Sequence, residues 1–140
     1  MDDYYDDFLS MVTSLYCEDP EGQQMEESKV KATINEYKRN PEKVKICNLF
    51  KQHEMIGYSI LVYYWSNEYG GNILCIDELF IKEEYRNKGI GSLFIKFFEE
   101  KGNAVALQLE TTPSNDRVFN YYQRLGFKVV KNAHLIKVIR

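Results

Sequence analysis

Two glycines in the segment RNKGIGS could bring backbone amides against an anion. Gly89 and Gly91 stand one residue apart, after a basic cluster and before an apolar run with helical spacing. Glycine suits a sharp turn or a close approach of the backbone to a ligand. At the start of a helix, unpaired N–H groups and the helix dipole attract phosphate, and Arg86 and Lys88 add positive charge. The pattern R-x-x-G-x-G therefore predicts either a diphosphate-binding loop or a flexible entry into a core helix.

A dinucleotide-binding fingerprint is one alternative for these glycines. The third glycine of that fingerprint would fall at Phe94, whose ring would hold the helix away from the strand. The preceding strand is predicted to end near Ile81, which leaves roughly seven residues where the fingerprint needs an immediate turn. The sequence also contains no GxxxxGK[ST] phosphate loop. These departures disfavour a nicotinamide-dependent enzyme.

Asp77 and Glu78 are adjacent acids in an otherwise apolar predicted strand. Because side chains alternate along a strand, the two should point to opposite faces. A carboxylate in apolar surroundings costs several kcal/mol unless it is paired, hydrogen-bonded or open to a water-filled cleft. A bound cationic amine would supply the partner, and the carboxylate could accept its proton directly or through water. The alternative is a structural carboxylate paired with a neighbouring Arg or Lys.

The elements that must position these residues follow from apolar periodicity. A strand, a helix and a strand follow one another between residues 73 and 110, which predicts a parallel crossover, and two hairpin-linked strands precede them. We therefore expect an α/β (α+β mixed) sheet with helices on both faces. The helix that follows the glycines should bury one stripe formed by Ile90, Leu93, Phe94, Phe97 and Phe98. Helices are predicted over 4–16, 25–39, 90–101 and 116–125, and strands over 44–50, 55–65, 73–81, 104–110, 127–130 and 135–139.

Composition excludes several classes of protein. At 140 residues, with a hydrophobic fraction of 44%, the chain suits a single domain over residues 1–140. Three scattered cysteines without a CxxC pair predict neither a disulfide framework nor a metal site. The acidic start and the lack of a long apolar run predict a cytoplasmic protein without a membrane partner. No basic-aromatic stripe suggests nucleic-acid binding, and a homodimer is compatible with the sequence.

The stretch CIDELFI, followed by EEYRNKGIGSLFIKFF, resembles the central motif of the GNAT superfamily of acyl-CoA-dependent N-acyltransferases. Downstream, PSNDRVFNYYQRLGF resembles the second motif of that superfamily. In it Asn115 lies seven residues before Tyr122, and Tyr122 lies five before Phe127. The resemblance covers residues 55–130 and implies a GNAT-like twisted mixed sheet. Members usually have a strand before the first helix, but MDDYYDD has no apolar stretch for one, so that strand is expected to be absent or supplied otherwise.

The resemblance implies acetyl-CoA as the cofactor, a ternary complex, and a primary amine as the acetyl acceptor. Tyr122 would be the general acid, although Val118, Tyr122 and Leu125 also have the spacing of a packed helix face. Asn115 would contact the cofactor arm. The main chain of Leu79, Phe80 and Ile81 would pair with the pantetheine amides, and the pyrophosphate loop would comprise Arg86, Asn87, Lys88, Gly89, Ile90, Gly91 and Ser92.

The segment LCIDELFIKEEYRNKGIGS is also similar, without gaps, to diamine (spermidine/spermine) acetyltransferases, which carry two successive acids at that place. This similarity implies a small cationic acceptor whose ammonium groups contact Asp77, Glu78 and Glu68. Glu78 or Asp77 would then be the base or a base relay. A protein or peptide amine acetyltransferase and a non-catalytic CoA-binding sensor module remain as alternatives.

Overall fold

The computed structural model describes residues 2–18, 23–111 and 115–140. These residues form two compact units, Met1–Glu110 and Thr111–Arg140, which are described separately. The turns predicted over 17–24 and 111–115 lie partly outside the described residues, at 19–22 and 112–114. In the described part of the chain, no helix combines the length and the apolar character needed to cross a membrane.

The described residues of the first unit form a mixed four-stranded sheet and three α-helices. The elements are α1 (Tyr5–Glu18), α2 (Glu27–Arg39), β1 (Val44–Lys51), β2 (Glu54–Ser66), β3 (Gly71–Ile81), α3 (Ile90–Lys101) and β4 (Ala106–Leu109). A short 3₁₀ helix, Asp2–Tyr4, leads into helix α1, and a second one, Glu83–Tyr85, precedes helix α3. The sheet order is β1-β2-β3-β4, in which β1, β2 and β3 are antiparallel neighbours and β4 runs parallel to β3. The mixed α/β sheet predicted from the sequence is confirmed.

Helices α1 and α2 bury their apolar stripes against one face of the sheet. Phe8 is fully buried, and its ring meets the ring of Tyr58 edge-on, with centroids 5.1 Å apart. Residues of both helices lie in one cluster with side chains of β1, β2 and β3. The buried members of this cluster are Phe8, Met11, Val12, Val30, Ile34, Val44, Ile46, Met55, Tyr58, Ile60 and Phe80.

Helix α3 covers the opposite face of the sheet. Val62 packs with the α1–α2 cluster, so the next residue of β2, Tyr63, points the other way. Its hydroxyl donates a 2.8 Å hydrogen bond to the carbonyl oxygen of Gly102, directly after α3. The helix buries Phe94, Ile95 and Phe98. The five-residue stripe predicted for α3 is therefore wrong in part: Leu93 and Phe97 are 68% and 55% exposed, because the helix turns Ile95 inward instead.

A β-bulge interrupts β3 where its pairing with β4 stops. The partners of β3 change from Ile60↔Glu78 to Leu61↔Ile76, so Asp77 opposes no residue of β2. Such an extra residue bends the strand and increases its twist. Strand β4 pairs with β3 from Ile73↔Ala106 to Ile76↔Leu109 and no further. Beyond Ile76, β3 continues to Ile81 with a strand partner on the β2 side alone, as far as the described residues show.

The described residues of the second unit form one helix, α4 (Asp116–Arg124). The helix ends where Gly126 adopts a left-handed backbone with φ of 100°. The strands predicted over 127–130 and 135–139 are wrong, since no helix or strand is formed from residue 127 onward. Apolar alternation forms a strand only where a neighbour supplies the hydrogen bonds. No such pairing is made there, and Leu135 and Ile136 are more than nine-tenths exposed.

Gly57 allows β2 and β3 to run close together near the end of β3. A Cβ atom at this position would lie 2.4 Å from the main-chain oxygen of Phe80. We expect Gly57→Ala to lower the free energy of unfolding by about 1–3 kcal/mol, because the strands must shift to admit the methyl group. Urea denaturation monitored by circular dichroism measures this change. An unaltered midpoint and slope would contradict the close approach.

Candidate active site

The carboxylate of Glu78 is held by two tyrosines from different elements. Tyr58 of β2 donates a hydrogen bond of 2.7 Å to Oε1, and Tyr16 of α1 donates one of 2.7 Å to Oε2. The main-chain oxygen of Glu78 accepts a 2.7 Å bond from the hydroxyl of the buried Ser59. The bulge gives Glu78 this environment, because it makes Ile60 its partner and turns it toward the face covered by α1.

These surroundings make Glu78 a stronger base than an ordinary surface carboxylate. Burial raises its pKa above the usual range, because the charged form is poorly solvated. The hydrogen bonds from Tyr58 and Tyr16 oppose this rise, while the charge of Asp77 adds to it. The phenol pKa values of Tyr58 and Tyr16 are themselves raised, mainly by burial. Both phenols therefore remain protonated donors at neutral pH.

Asp77 and Glu110 form a second acidic feature where β3 and β4 separate. The last paired residues are Ile76 and Leu109, and each acid comes directly after one of them. Asp77 is solvent-exposed in part, but neighbouring atoms shield it enough to raise its pKa, and the charge of Glu110 raises it further. A cationic ligand would offset the part of this rise that comes from the charge of Glu110. The sequence did not connect Glu110 with Asp77, because only the parallel register of β3 and β4 brings the two acids together.

The loop between β3 and α3 contains two residues with a left-handed backbone. Gly89, at the N-cap of α3, has φ of 82°, and Asn87 has φ of 63°, so two left-handed residues flank Lys88. A Cβ atom on Gly89 would meet no protein atom within 4 Å. The N-cap residue Gly89 has no side chain to cap the helix, and the first carbonyl bond runs from the amide of Leu93 to the Gly89 oxygen at 3.1 Å. The amides of residues 90–92 come before the first of these bonds, which is the part of a helix that can bind an anion.

Arg86 faces back toward β3 and α1. Its Nε–H donates a 2.6 Å bond to the carbonyl oxygen of Ile81, and Nη2 donates one of 2.9 Å to Glu18. The guanidinium carbon lies 5.2 Å from the centroid of the Phe80 ring. Arg86 therefore ties the loop to the end of α1. Lys88, predicted to add charge for a phosphate, has its ammonium 5.7 Å from the Tyr85 ring.

The three β3 residues predicted to pair with pantetheine lie on the stretch that β4 leaves uncovered. Leu79, Phe80 and Ile81 pair on one side with residues 57–59 of β2. Strand β4 ends its pairing at Ile76, five residues before Ile81. The far edge of this stretch can therefore present main-chain groups to an extended ligand with amide groups, as in strand addition.

Asn115 and Tyr122 belong to the second unit. The Asn115 side chain caps α4 by accepting a 3.3 Å hydrogen bond from the amide of Val118. The ring of Tyr122 packs edge-on against the rings of Tyr121 and Phe127, with centroids 5.2 Å and 5.6 Å away. Burial raises the pKa of the Tyr122 hydroxyl. Within this unit, Tyr122 is thus a partly shielded phenol near the end of a helix.

Glu68 lies at the tip of the β2–β3 hairpin, where it is exposed. The strand from Gly71 to Glu78 spans about 20 Å at the usual rise of a strand. The hairpin therefore places Glu68 at the opposite end of β3 from Asp77 and Glu78, and one short amine does not reach all three acids.

Tyr16 and Tyr58 are the site residues that the sequence did not single out. Buried tyrosines usually need a hydrogen-bond partner for their hydroxyl, which is the one signal the sequence carries for them. Tyr58 is fully buried within β2, and Tyr16 lies near the end of α1. Their shared partner could not be identified, because 62 residues separate Tyr16 from Glu78.

Three solved structures share the fold of this chain. A possible acetyltransferase from Clostridium difficile 630 superposes with a TM-score of 0.81 at 21% identity, covering 99% of this chain and 93% of that one. A mutant of the BH1408 protein from Bacillus halodurans gives 0.73 at 17% identity, with coverages of 98% and 95%. A transcriptional regulator from Bacillus halodurans C-125 gives 0.67 at 20% identity, with coverages of 81% and 77%.

The family assignment comes from the sequence as a whole. No curated protein matches the chain in a sequence search. The model of the acetyltransferase (GNAT) family, however, matches residues 9–127. That span includes most of α1, the whole sheet, the loop before α3, and α4. The chain belongs to the acetyltransferase (GNAT) family.

Proposed function

We propose that this protein transfers the acetyl group of acetyl-CoA to a primary amine of a small, polyamine-like cation within a ternary complex. Membership of an acetyltransferase family supports the transfer itself. The observation that carries the proposal is the shielded Glu78 carboxylate, held by Tyr16 and Tyr58 and adjacent to Asp77. Such a group can attract a cationic amine and take its proton.

The first unit offers features that fit CoA. A left-handed Gly89 with open space at its Cβ position suits the close approach of a phosphate oxygen to the start of α3. The edge of β3 that β4 does not pair with suits the amides of a pantetheine arm. We assign the pyrophosphate to residues 87–92 and the arm to residues 79–81. Arg86 would keep the loop in shape through its bonds to Ile81 and Glu18.

The chemistry needs a base and an acid. When bound, acetyl-CoA supplies a thioester whose acetyl carbon forms the new bond to the amine nitrogen. Glu78 accepts a proton from that nitrogen, directly or through one water, and Asp77 helps to attract the ammonium form. An amine of pKa about 10 loses its proton more readily as the new bond forms, so a carboxylate with a raised pKa suffices. Tyr122 donates a proton to the departing sulfur, a role supported by the family motif alone.

The acidic character of the site supports a cationic acceptor. Asp77 and Glu110 follow the last paired residues of β3 and β4, and Glu78 lies one residue further along β3. Shielding by neighbouring atoms raises the pKa of Asp77, and the negative charge of Glu110 raises it further. An acceptor with two or more ammonium groups would relieve this repulsion better than a single amine. This favours diamines and polyamines over a lone lysine side chain.

A thiol-release assay with matched amines tests the proposed acceptor. Acetyl-CoA is incubated with the protein and with a diamine, a polyamine, a monoamine of equal length, or a lysine-containing peptide. We expect kcat/KM to be highest for the polycations. A preference for the peptide would assign the protein to the protein acetyltransferases. Binding of acetyl-CoA without thiol release from any amine would indicate a sensor module.

Tyr122→Phe tests the acid. We expect kcat to fall by about 10²-fold, at the low end of general acid effects, because a thiolate of pKa about 8.5 can also leave unprotonated. The dissociation constant of acetyl-CoA should stay unchanged. Tyr121→Phe is the matched control, since it removes the neighbouring phenol and should leave kcat unaltered. Equal losses of kcat in both variants would reduce Tyr122 to a packing role.

A further inference from the structure

We infer that Tyr16 and Tyr58 are positioning residues that orient the Glu78 carboxylate and set its affinity for a proton. This inference deepens the proposed function and rests on it for its catalytic meaning. Each phenol donates to a different oxygen of the same carboxylate, at 2.7 Å in both cases. Two bonds to separate oxygens fix the rotation of the carboxylate plane, which a single bond would leave free.

The two donors come from opposite sides of the core layer. Tyr58 is fully buried in β2, and its ring lies between Phe8 and Phe80 at centroid distances of 5.1 Å and 6.1 Å. Its hydroxyl therefore has a fixed position. Tyr16 lies in the last turns of α1 and is only partly buried. The sheet thus supplies one of the two hydrogen bonds to Glu78, and helix α1 supplies the other.

The end of α1 also contacts the proposed cofactor loop. Glu18, two residues after Tyr16, accepts the 2.9 Å bond from Arg86, and Arg86 donates to the carbonyl of Ile81 in β3. One turn of helix is therefore bonded both to the base and to the loop that starts α3. Tyr16 therefore contacts the proposed base from a helix whose buried side chains pack in the core.

The direction of the electrostatic effect follows from the groups that act on Glu78. They are Tyr58 of β2, Tyr16 of α1 and the neighbouring Asp77 of β3. Hydrogen bonds donated to a carboxylate favour its charged form and lower its pKa, whereas Asp77 acts in the opposite sense. Loss of either phenol should therefore raise the pKa of Glu78, and the base would become protonated at a higher pH.

Tyr16→Phe and Tyr58→Phe test this inference, since each keeps the ring and removes one donor. We expect the acid limb of the kcat/KM profile to move to higher pH by about one unit in each variant, with the acetyl-CoA dissociation constant unchanged. Tyr63→Phe is the matched control, because its hydroxyl bonds to the Gly102 oxygen on the other face of the sheet. This control should leave the acid limb in place.

A second readout separates this inference from the proposed function. Carbon NMR of side-chain carboxyl groups, assigned with Glu78→Gln, follows the titration of Glu78 without any turnover. An upward shift of the Glu78 pKa in both tyrosine variants supports the inference, even if the wild-type protein acetylates no amine. An unchanged pKa of Glu78 in both variants, or an equal shift with Tyr63→Phe, would overturn it.

Discussion

Glu78→Gln is expected to lower kcat by about 10³-fold, within the usual range for loss of a general base. The carboxamide has nearly the same shape, but it cannot accept the proton that the amine must lose. Its oxygen can still accept a bond from one of Tyr16 and Tyr58, so we expect the fold to persist. The dissociation constant of acetyl-CoA should remain that of the wild-type protein, because Glu78 acts on the amine.

Glu27→Gln is a matched control for this substitution. Glu27 also accepts a 2.7 Å hydrogen bond from a tyrosine hydroxyl, that of Tyr5, but on the exposed surface of α1 and α2. Steady-state kinetics of both variants separate the loss of a base from the loss of a phenol–carboxylate pair. A turnover rate of Glu78→Gln close to that of the wild type would show that Glu78 is structural and would transfer the role to Asp77.

Gly89→Val is expected to raise the dissociation constant of CoA by about 10²-fold, which corresponds to about 2.7 kcal/mol. Two effects contribute to this loss. A β-branched residue is strained at a φ of 82°, so the loop would relax away from its present shape. In addition, the side chain would fill the open space beside the start of α3 where we place the pyrophosphate.

Gly70→Val controls for backbone strain. Gly70 has φ of 69°, and its Cβ position also meets no atom within 4 Å, but it lies in the turn between β2 and β3. Isothermal titration with CoA should give wild-type affinity for Gly70→Val and a large loss for Gly89→Val. If the two variants bound CoA with equal affinity, backbone strain alone would account for any loss. The loop before α3 would then have no specific role in binding phosphate.

The features that could be predicted from the sequence are local ones. The strand from Ile73, the glycine loop and the helix after it each have a signal within a few residues, namely apolar spacing or a glycine at a helix start. The left-handed conformation of Gly89 belongs to this group. The motif that suggested a GNAT protein is local too, and the family match bears it out.

The features that escaped prediction depend on long-range register. The bulge at Asp77 arises from the pairing of β3 with β2, so the sequence of β3 alone does not reveal it. The same holds for Tyr16, which meets Glu78 across 62 residues. The inward side of α3 was also misjudged, because Phe97 and Ile95 are both apolar and only the packing decides between them. The strands predicted from residue 127 onward do not form, because that segment pairs with no strand in the described part of the chain.

The most direct measurement is a comparison of two products in one reaction. Acetyl-CoA and an excess of a polyamine are incubated with the protein, and released thiol and acetylated amine are quantified in parallel by colour reaction and mass spectrometry. We predict equal amounts of both, a saturable dependence on the polyamine, and loss of both products with Glu78→Gln. Thiol release that ignores the amine, or CoA binding without any acetylated amine, would contradict the proposed transfer.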